Sequence, residues 1–541
     1  MRLVQAAFCG ALAFLSLGLA THAAAADLLA PGMPAENVID TYVDAHLKKN
    51  KVAAVKQAED GNVVRRVTLD LIGRVPTPGE IQAYVDSRDV KKREQLVDQL
   101  LDSPEFVDHQ VNEFDWMIMQ GSGSLREYLT LAFREKRSWD RMFRDLLLSD
   151  AKAEESKQAV DFIKTRTRDL DRMTNDVSSV FFGVNISCAQ CHDHPLAPDW
   201  KQDHFYGLKS FLSRTYENGG FVGERDYGLV TYLTPKGEQR QAKLMYLTGK
   251  LIDEPQASEP DNQAKKKEQE LLKSLADKKQ APPKPSFSRR AKLVETALAS
   301  DQRSFFARSI VNRVWYRLIG HGLVMPIDQM HSGNPPTHPE LLAWLARDLA
   351  DHDFDLRRLI RGVVLSQTYS RSSFWDSGRR PDGSLFAVAQ VRPLTPHQFG
   401  ASLKIVTADP ESWKQAKTPE EASRRAASLA SSGRGWANQF QPVTDNFQVG
   451  VGESLMFAND AKVVSEFLAD GNDRLVGRMK QLAENDEQVD CAVKAVLGRD
   501  AAKEEQQALV AYLSKRQDRS VVALQQVVWS LLASSEFRFN Y

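Results

Sequence analysis

The stretch "THPELLAWLARDLADHDFDLRRLIRGVVL", residues 337–365, shows the pattern that decides the fold class. Apolar side chains recur in it at intervals of three and four positions. They form two sets, which are Leu341, Leu342, Leu345 and Leu349, and then Leu356, Leu359, Ile360, Val363 and Val364. This spacing places each set on one face of an α-helix, the face that packs into a core. The stretch therefore predicts two amphipathic helices in succession.

Helix starts of one kind recur along the chain. Each has a threonine with a glutamate or glutamine three positions later and a proline between them. The four examples are "TPGE" at Thr77, "THPE" at Thr337, "TPHQ" at Thr395 and "TPEE" at Thr418. The threonine can cap the helix while the third residue reaches back to the cap, and a proline is tolerated in the first turn. We expect a mainly α protein.

Three segments depart from the helical pattern. Residues 227–255 are rich in Tyr, Val, Thr and Leu around "PKGEQ", which predicts a small β-hairpin insert. Residues 261–285 are first charged and then proline-rich, which is typical of a linker. Residues 409–440 are polar, and we expect them to form a long surface excursion. Two helical domains, residues 27–260 and 286–541, are therefore predicted on either side of the linker.

The first 26 residues carry an early arginine, an apolar run and small residues with Ala-x-Ala spacing. This pattern predicts a secretory signal peptide, so the protein is expected to be periplasmic or otherwise exported. The most apolar later segment, residues 520–537, is interrupted by Gln525, Gln526 and Ser530. It predicts a packed amphipathic helix, and we expect no membrane span after signal cleavage.

The composition is that of a globular protein, with 42% hydrophobic and 9% aromatic residues. Its 71 basic and 71 acidic residues give a formal net charge of zero. We therefore expect no nucleic-acid partner, because phosphate binding needs concentrated Lys and Arg.

The segment "NISCAQCHDHP", residues 185–195, concentrates the chemistry. Its C-x-x-C-H pattern is the attachment sequence of c-type haem, in which two thiols bond the haem and the histidine binds iron. Cys188 and Cys191 would anchor haem c, and His192 would be the proximal iron ligand. Asp193 is expected to support His192.

Other chemistries use the same residues. Cys188, Cys191 and His194 could bind zinc, with His204 as a further candidate metal ligand. The two cysteines could instead form a redox-active dithiol or a structural disulfide. Five residues are candidates for the second axial position on iron, which are His204, Met245, Met330, His331 and His338.

Several long stretches resemble a planctomycete cytochrome-like two-domain family of unknown function. They are "VVRRVTLDLIGRVPTPGEI" (63–81), "LVDQLLDSPEF" (96–106), "FFGVNISCAQCHDHPLAPDWKQDHFYGLKSFL" (181–212), "FFARSIVNRVWYRLIGHGLVMPIDQMHSGNPPTHPELLAWLA" (305–346), "LIRGVVLSQTYSRSS" (359–373) and "VVWSLLASSEFRFNY" (527–541). The resemblance implies a cytochrome-like first domain, which carries Cys188, Cys191 and His192, and a second domain without an assigned activity.

These observations predict an exported c-type haem protein that exchanges electrons with a redox partner protein. The alternative is an exported protein without haem, in which residues 188–194 form a zinc or disulfide clip. A third possibility is a hydrolase that acts on an extracellular polymer through carboxylates that the sequence does not single out. Whether the protein is an enzyme is left open by the sequence.

Overall fold

The computed structural model describes residues 28–149, 156–195, 197–255, 259–443 and 448–541. The predicted signal peptide, residues 1–26, lies outside these residues. Most of the predicted first domain, residues 27–260, lies within them. The described chain is mainly α-helical with small two-stranded sheets, so the predicted fold class is confirmed.

The first part of the chain contains ten helices among the described residues. They are α1 (Ala35–Lys49), α2 (Asp60–Ile72), α3 (Pro78–Asp86), α4 (Lys92–Leu101), α5 (Pro104–Met119), α6 (Arg126–Arg134), α7 (Trp139–Leu148), α8 (Asp161–Lys164), α9 (Leu170–Phe182) and α10 (Gln202–Leu212). Short 3-10 helices lie at Lys157–Val160 and Ser187–Gln190. The second of these carries the predicted site.

Three antiparallel hairpins follow α10. Their strands are β1 (Thr215–Asn218), β2 (Phe221–Glu224), β3 (Thr231–Leu233), β4 (Gln239–Gln241), β5 (Leu244–Met245) and β6 (Leu251–Ile252). In the β3–β4 hairpin Thr231 pairs with Gln241 and Leu233 with Gln239. The hairpin insert predicted for residues 227–255 is therefore confirmed, and it consists of two hairpins.

The rest of the chain is again helical. Its elements are α11 (Asn262–Asp277), α12 (Arg289–Leu298), α13 (Ser304–Ile319), α14 (Pro339–Asp351), α15 (Leu356–Leu365), β7 (Arg392–Pro393), α16 (Pro396–Val406), α17 (Pro419–Arg434), α18 (Val451–Asn459), α19 (Ala461–Phe467), α20 (Leu475–Lys480), α21 (Asn485–Leu497), α22 (Lys503–Ser514), α23 (Ser520–Leu532), α24 (Ser535–Arg538) and β8 (Phe539–Asn540). Short 3-10 helices lie at Gly383–Leu385, Pro410–Trp413, Ala437–Gln439 and Gln517–Arg519.

Three of the four predicted threonine caps are confirmed, at Thr77, Thr395 and Thr418. The fourth is wrong, because α14 begins one residue later and its cap residue is His338. Thr337 instead donates from its backbone N–H, at 2.8 Å, and from its hydroxyl, at 3.3 Å, to the carbonyl of Leu323. The preceding loop therefore takes the hydroxyl that would otherwise cap the helix.

The segment predicted as a linker contains α11. The backbone carbonyl of Leu272, a buried residue of this helix, accepts a 3.0 Å hydrogen bond from Asn218 at the β1–β2 turn. A charged sequence becomes helical here because one apolar residue packs and the charged ones face solvent. The predicted domain boundaries around it remain a prediction.

Residues 409–440 are not a surface excursion, because α17 packs closely on α16. A Cβ atom added to Gly400 would lie 2.4 Å from the carbonyl oxygen of Gly433. Ala426 and Ala430 of α17 are fully buried. Small residues let the two backbones approach, which a scan for large apolar side chains does not detect.

Two hydrophobic cores organise the described residues. The first includes residues from Ala35 to Val388, on both sides of the predicted linker. The second is built mainly from residues 394–537, and Leu69 and Val75 join it from the first part of the chain. No described helix is long and apolar enough to cross a membrane.

Buried polar contacts connect the two ends of the chain. The carboxylate of Asp70 in α2 accepts hydrogen bonds from the Tyr369 hydroxyl (2.7 Å), the Arg392 guanidinium (2.7 Å) and the Asn540 amide (3.0 Å). Asp70 is only 4% exposed, so each of these bonds replaces a water contact that the carboxylate has lost. Strands β7 and β8 pair beside it, with Arg392 opposite Asn540.

Candidate functional site

The candidate site is the surface turn that follows α9. The helix ends at Gly183 in a left-handed conformation with φ of 67°, and Val184 then forms an isolated bridge with Gln329. The next turn, the 3-10 helix Ser187–Gln190, carries Cys188. Cys188, Cys191 and His192 are all exposed, and the two thiols are free.

Helix α10 holds this turn in place. The side-chain amide of Gln202, a buried residue, donates to the carbonyls of Cys191 at 3.1 Å and Gln190 at 3.3 Å. The Tyr206 hydroxyl also donates to the Gln190 carbonyl, at 3.1 Å. The Tyr206 ring stacks on that of Tyr232 in β3, with centroids 4.1 Å apart. The backbone of the turn is thus fixed while its cysteines stay accessible.

The histidine of the motif has one ring nitrogen committed to the backbone. His192 Nδ1 lies 2.7 Å from the carbonyl oxygen of Asp193. A carbonyl oxygen can only accept, so Nδ1 carries the proton and donates. In the neutral imidazole the lone pair is then on Nε2, the arrangement of a metal-binding histidine. Asp193 thus supports His192 through its backbone, and its carboxylate accepts from the Gln202 N–H at 3.2 Å instead.

The other two histidines predicted as metal ligands are arranged differently. His194 Nδ1 accepts from the Ala197 N–H at 3.0 Å, and His204 Nδ1 accepts from the Lys201 N–H at 3.3 Å. An accepting Nδ1 in a neutral ring places the proton on Nε2, which then has no lone pair for a metal. These bonds favour His192 over His194 and His204 as a ligand.

Burial and neighbouring charge act together on His194. Burial lowers its pKa, and so do the nearby His331 and His192 rings. Burial also lowers the pKa of His204, which packs edge-on against Trp200. Both histidines are therefore neutral near pH 7.

A ready-made metal cluster is not found in the described part of the chain. No three His, Cys, Asp or Glu side chains there lie close enough together to hold a metal ion. The predicted zinc set of Cys188, Cys191 and His194 is thus not assembled in this geometry.

The candidates for the second axial position on iron lie in different parts of the structure. His331 lies against His194, with ring centroids 6.3 Å apart. Met330 is buried over Gly183, at the base of the turn. His338 packs instead between His46 and Phe386, at 4.1 and 5.0 Å between centroids.

Met245 in β5 packs on Gly207 of α10, whose added Cβ would lie 2.6 Å from the Met245 Cβ atom. Of the five candidates, His331 and Met330 thus approach the turn from the second part of the chain, and His204 lies close to Asp193 at the start of α10.

The loop that carries His331 is tied to the candidate site by further backbone and side-chain contacts. The Asn185 N–H donates to the Asp328 carbonyl at 2.6 Å, and the Met330 N–H donates to the Gly183 carbonyl at 3.0 Å. The Asp199 carboxylate accepts from the Ser332 hydroxyl at 2.7 Å. The sequence did not single out Asp199, and only its chain position soon after the CxxCH segment could have suggested it.

The structure thus defines a mainly helical protein whose exposed CxxCH turn faces a loop from its second half. Residues 38–217 match the family model PSCyt2, described as a protein of unknown function (DUF1549). Residues 289–513 match PSD1, also described as a protein of unknown function (DUF1553). These two matches, in this order, support a two-domain protein of unknown function. No curated protein and no solved structure matches the chain.

Proposed function

We propose that this protein is an exported c-type haem-binding protein with a role in electron transfer. Cys188 and Cys191 would bond the haem covalently, and Nε2 of His192 would bind its iron. The observation that carries the proposal is the state of this turn. Both thiols are free and exposed, and a backbone carbonyl fixes His192 in the tautomer that leaves Nε2 available.

The surroundings of the turn fit an apolar group lying on the surface. Leu233, at the end of β3, has 64% of its surface exposed. The carbonyl of this residue accepts from the same Gln202 amide that holds Cys191, at 3.4 Å, so the leucine lies beside the turn. Exposed leucine gains free energy when an apolar surface covers it. A bound haem would supply an iron that alternates between two oxidation states.

The chain's own residues set the conditions for such a group. Gln202 and Tyr206 hold the backbone between the cysteines, which fixes the direction from which His192 approaches. The exposed position of the turn gives a partner protein direct access, which electron exchange between proteins requires. We propose a redox partner protein of the same compartment, and export follows from the predicted signal sequence.

The test is a visible spectrum of the exported full-length protein, made in a host that matures c-type haem. We expect a Soret band and, after denaturation, a haem-staining band on a gel. C188S and C191S should reduce this covalent staining and the double variant should abolish it. C491S is the matched control, because Cys491 lies in α21, packed against the second core.

A colourless wild-type protein from that host would overturn the proposal. Stoichiometric zinc that depends on Cys188 and Cys191 would identify the clip instead, and an oxidised Cys188–Cys191 pair without metal would identify a disulfide. Haem staining that survives in the double cysteine variant would also contradict the assignment of the anchors.

A further inference from the structure

A cavity of about 250 Å³ lies beside the candidate site, in the second part of the chain. Its walls are mostly apolar and include Phe305, Met330 and Leu342. Three nitrogen-bearing side chains also line it, Arg308 from α13 and His331 and Asn334 from the loop that faces the CxxCH turn, and so does the carboxylate of Asp199. The cavity therefore combines an apolar interior with a small number of polar groups, which is the usual composition of a ligand site.

Arg308 is a cation without a counter-charge. It is half-buried, and its guanidinium makes no hydrogen bond or ion pair with any residue in the described ranges. Burial lowers its pKa, and the Asp199 carboxylate on the cavity wall forms no ion pair with it. Arg358, also half-buried, has such a partner in Asp348 at 2.9 Å. A partly desolvated guanidinium without a partner is free to pair with an added anion.

The other polar groups of the cavity differ in whether their hydrogen-bonding atoms already have partners. The Asn334 amide already donates to the carbonyls of Gln329 and Met325, at 2.9 and 3.2 Å. The Ser332 hydroxyl and N–H are both taken by Asp199. His331 Nδ1, in contrast, is buried without a partner among the described residues. Arg308 and His331 are thus the groups left to bind a ligand.

We infer that this cavity binds a small carboxylate with an apolar body, whose carboxylate pairs with Arg308. A guanidinium offers two parallel N–H donors that match the two oxygens of a carboxylate. The apolar walls suit the rest of such a molecule. A volume of about 250 Å³ is below the range of drug-sized ligands, so a molecule about the size of benzoate is expected.

The cavity lies close to the proposed haem site, but the inference that it binds a carboxylate does not depend on haem binding. His331 lines the cavity on one side and lies against His194, two residues after the proposed iron ligand. A ligand on Arg308 would therefore lie next to the CxxCH turn. The residues that bind it are neither cysteines nor His192, so carboxylate binding does not require that haem be attached.

The test is isothermal titration calorimetry of the full-length protein with sodium benzoate as the probe. Benzamide serves as its uncharged analogue and inorganic phosphate as an anion without an apolar body. We expect saturable binding of one benzoate per chain and binding at least about tenfold weaker for benzamide, because a hydrogen bond to a charged group is lost. Phosphate should bind more weakly than benzoate.

Substitutions of Arg308 test whether benzoate binds in this cavity. R308M should weaken benzoate binding by about tenfold or more, and R308K, which keeps the charge without the planar fork, should fall between R308M and wild type. R88M is the matched control, because Arg88 is an exposed arginine before α4 that does not line the cavity. Circular dichroism of each variant checks that the fold is retained.

The inference is overturned if benzoate does not bind, if R308M binds it as well as wild type, or if benzamide binds equally well. Tighter binding of phosphate than of benzoate would replace the proposed ligand by a bare oxyanion. Calorimetry needs no chromophore, so a colourless protein that binds benzoate would disprove the haem proposal and leave this one standing.

Discussion

The Tyr369 hydroxyl donates a 2.7 Å hydrogen bond to the carboxylate of Asp70, and both side chains are buried. Burial together with the Asp70 charge raises the pKa of the Tyr369 hydroxyl well above its usual range, so it remains a donor at every physiological pH. The same carboxylate pairs with Arg392 at 2.7 Å. Asn540 donates to it as well, so one acidic group accepts from three donors that come from the second part of the chain.

Removing the charge of Asp70 should therefore destabilise the protein strongly. D70N leaves the partly buried Arg392 without the counter-charge of Asp70, and we expect a loss of about 3–5 kcal/mol in the free energy of unfolding. Y369F removes a single hydrogen bond and should cost about 2 kcal/mol. Urea unfolding followed by circular dichroism measures both. D376N, at an exposed aspartate, should stay within about 0.5 kcal/mol of wild type. Equal losses in D70N and D376N would contradict this account.

Acidic pH should lower the free energy of unfolding through protonation of His338. Burial, and to a smaller extent the nearby His46, lower the pKa of this histidine to about 3. A histidine with a depressed pKa binds fewer protons when folded than when unfolded, so its contribution is complete above about pH 6.5 and is lost as the pH falls towards 3. We expect this group alone to remove about 2 kcal/mol of stability between pH 7 and pH 5.

The variant H338N tests this pH dependence, because asparagine does not titrate. Its stability should fall less than that of wild type between pH 7 and pH 5, whereas above pH 7 the two curves should run parallel. Parallel curves over the whole range would show that His338 does not carry the effect.

Gly183 should tolerate substitution less well than Gly237, although both have a left-handed backbone. Its φ is 67°, and an added Cβ would lie 3.0 Å from the sulfur of the buried Met330. Gly237, in the β3–β4 turn, has a φ of 80° but open space around it. G237A should therefore cost about 1 kcal/mol for backbone strain, and G183A about 1–3 kcal/mol more for overpacking. Thermal or urea unfolding of the two variants compares them, and equal losses would exclude the contact with Met330 as the cause.

Covalent attachment of haem and binding of its iron should depend on different residues of the CxxCH turn. In H192A both cysteines remain, so haem staining after denaturation should persist while the visible spectrum of the folded protein changes. H204A is the control, because His204 Nδ1 is engaged by the Lys201 N–H and its spectrum should match wild type. An unchanged spectrum in H192A, or a changed one in H204A, would reassign the ligand.

Arg308 should reduce the stability of the ligand-free protein. R308M removes a half-buried charge that has no partner within the described residues, and we expect the free energy of unfolding to rise by about 0.5–2 kcal/mol. R289M offers the contrast, since Arg289 is buried and pairs with Glu254 at 2.6 Å. That variant should lose about 3–5 kcal/mol. Destabilisation by R308M would mean that Arg308 has a structural role.

Periodicity predicted the helices well, because helical packing repeats over a few neighbouring residues. Residues 520–537 show this, since α23 buries Leu524, Val528, Leu531 and Leu532 as their spacing indicates. The same reasoning missed the packing of α17, where glycine and alanine let two backbones approach. Small residues bury little area each, and they therefore leave a weak signal in a hydrophobic pattern.

The candidate site was predictable only in part, for a related reason. The CxxCH pattern is local, and it identified Cys188, Cys191 and His192 directly. The tautomer of His192 and the approach of His331 depend on backbone contacts that no spacing encodes. Whether Arg308 has a counter-charge is likewise decided by residues distant in the sequence. Ion pairs of this kind become visible only when the fold is known.

The bond between Asn540 and Asp70 has a consequence for the order of folding, since 470 positions separate the two residues. During synthesis α2 emerges hundreds of residues before the donors that satisfy Asp70. Until they arrive, burying this carboxylate is unfavourable, so we expect the packing around α2 to be completed late. Closing so long a loop also slows the final step. Under the proposed export, the chain would gain its full stability only after translocation has delivered β8.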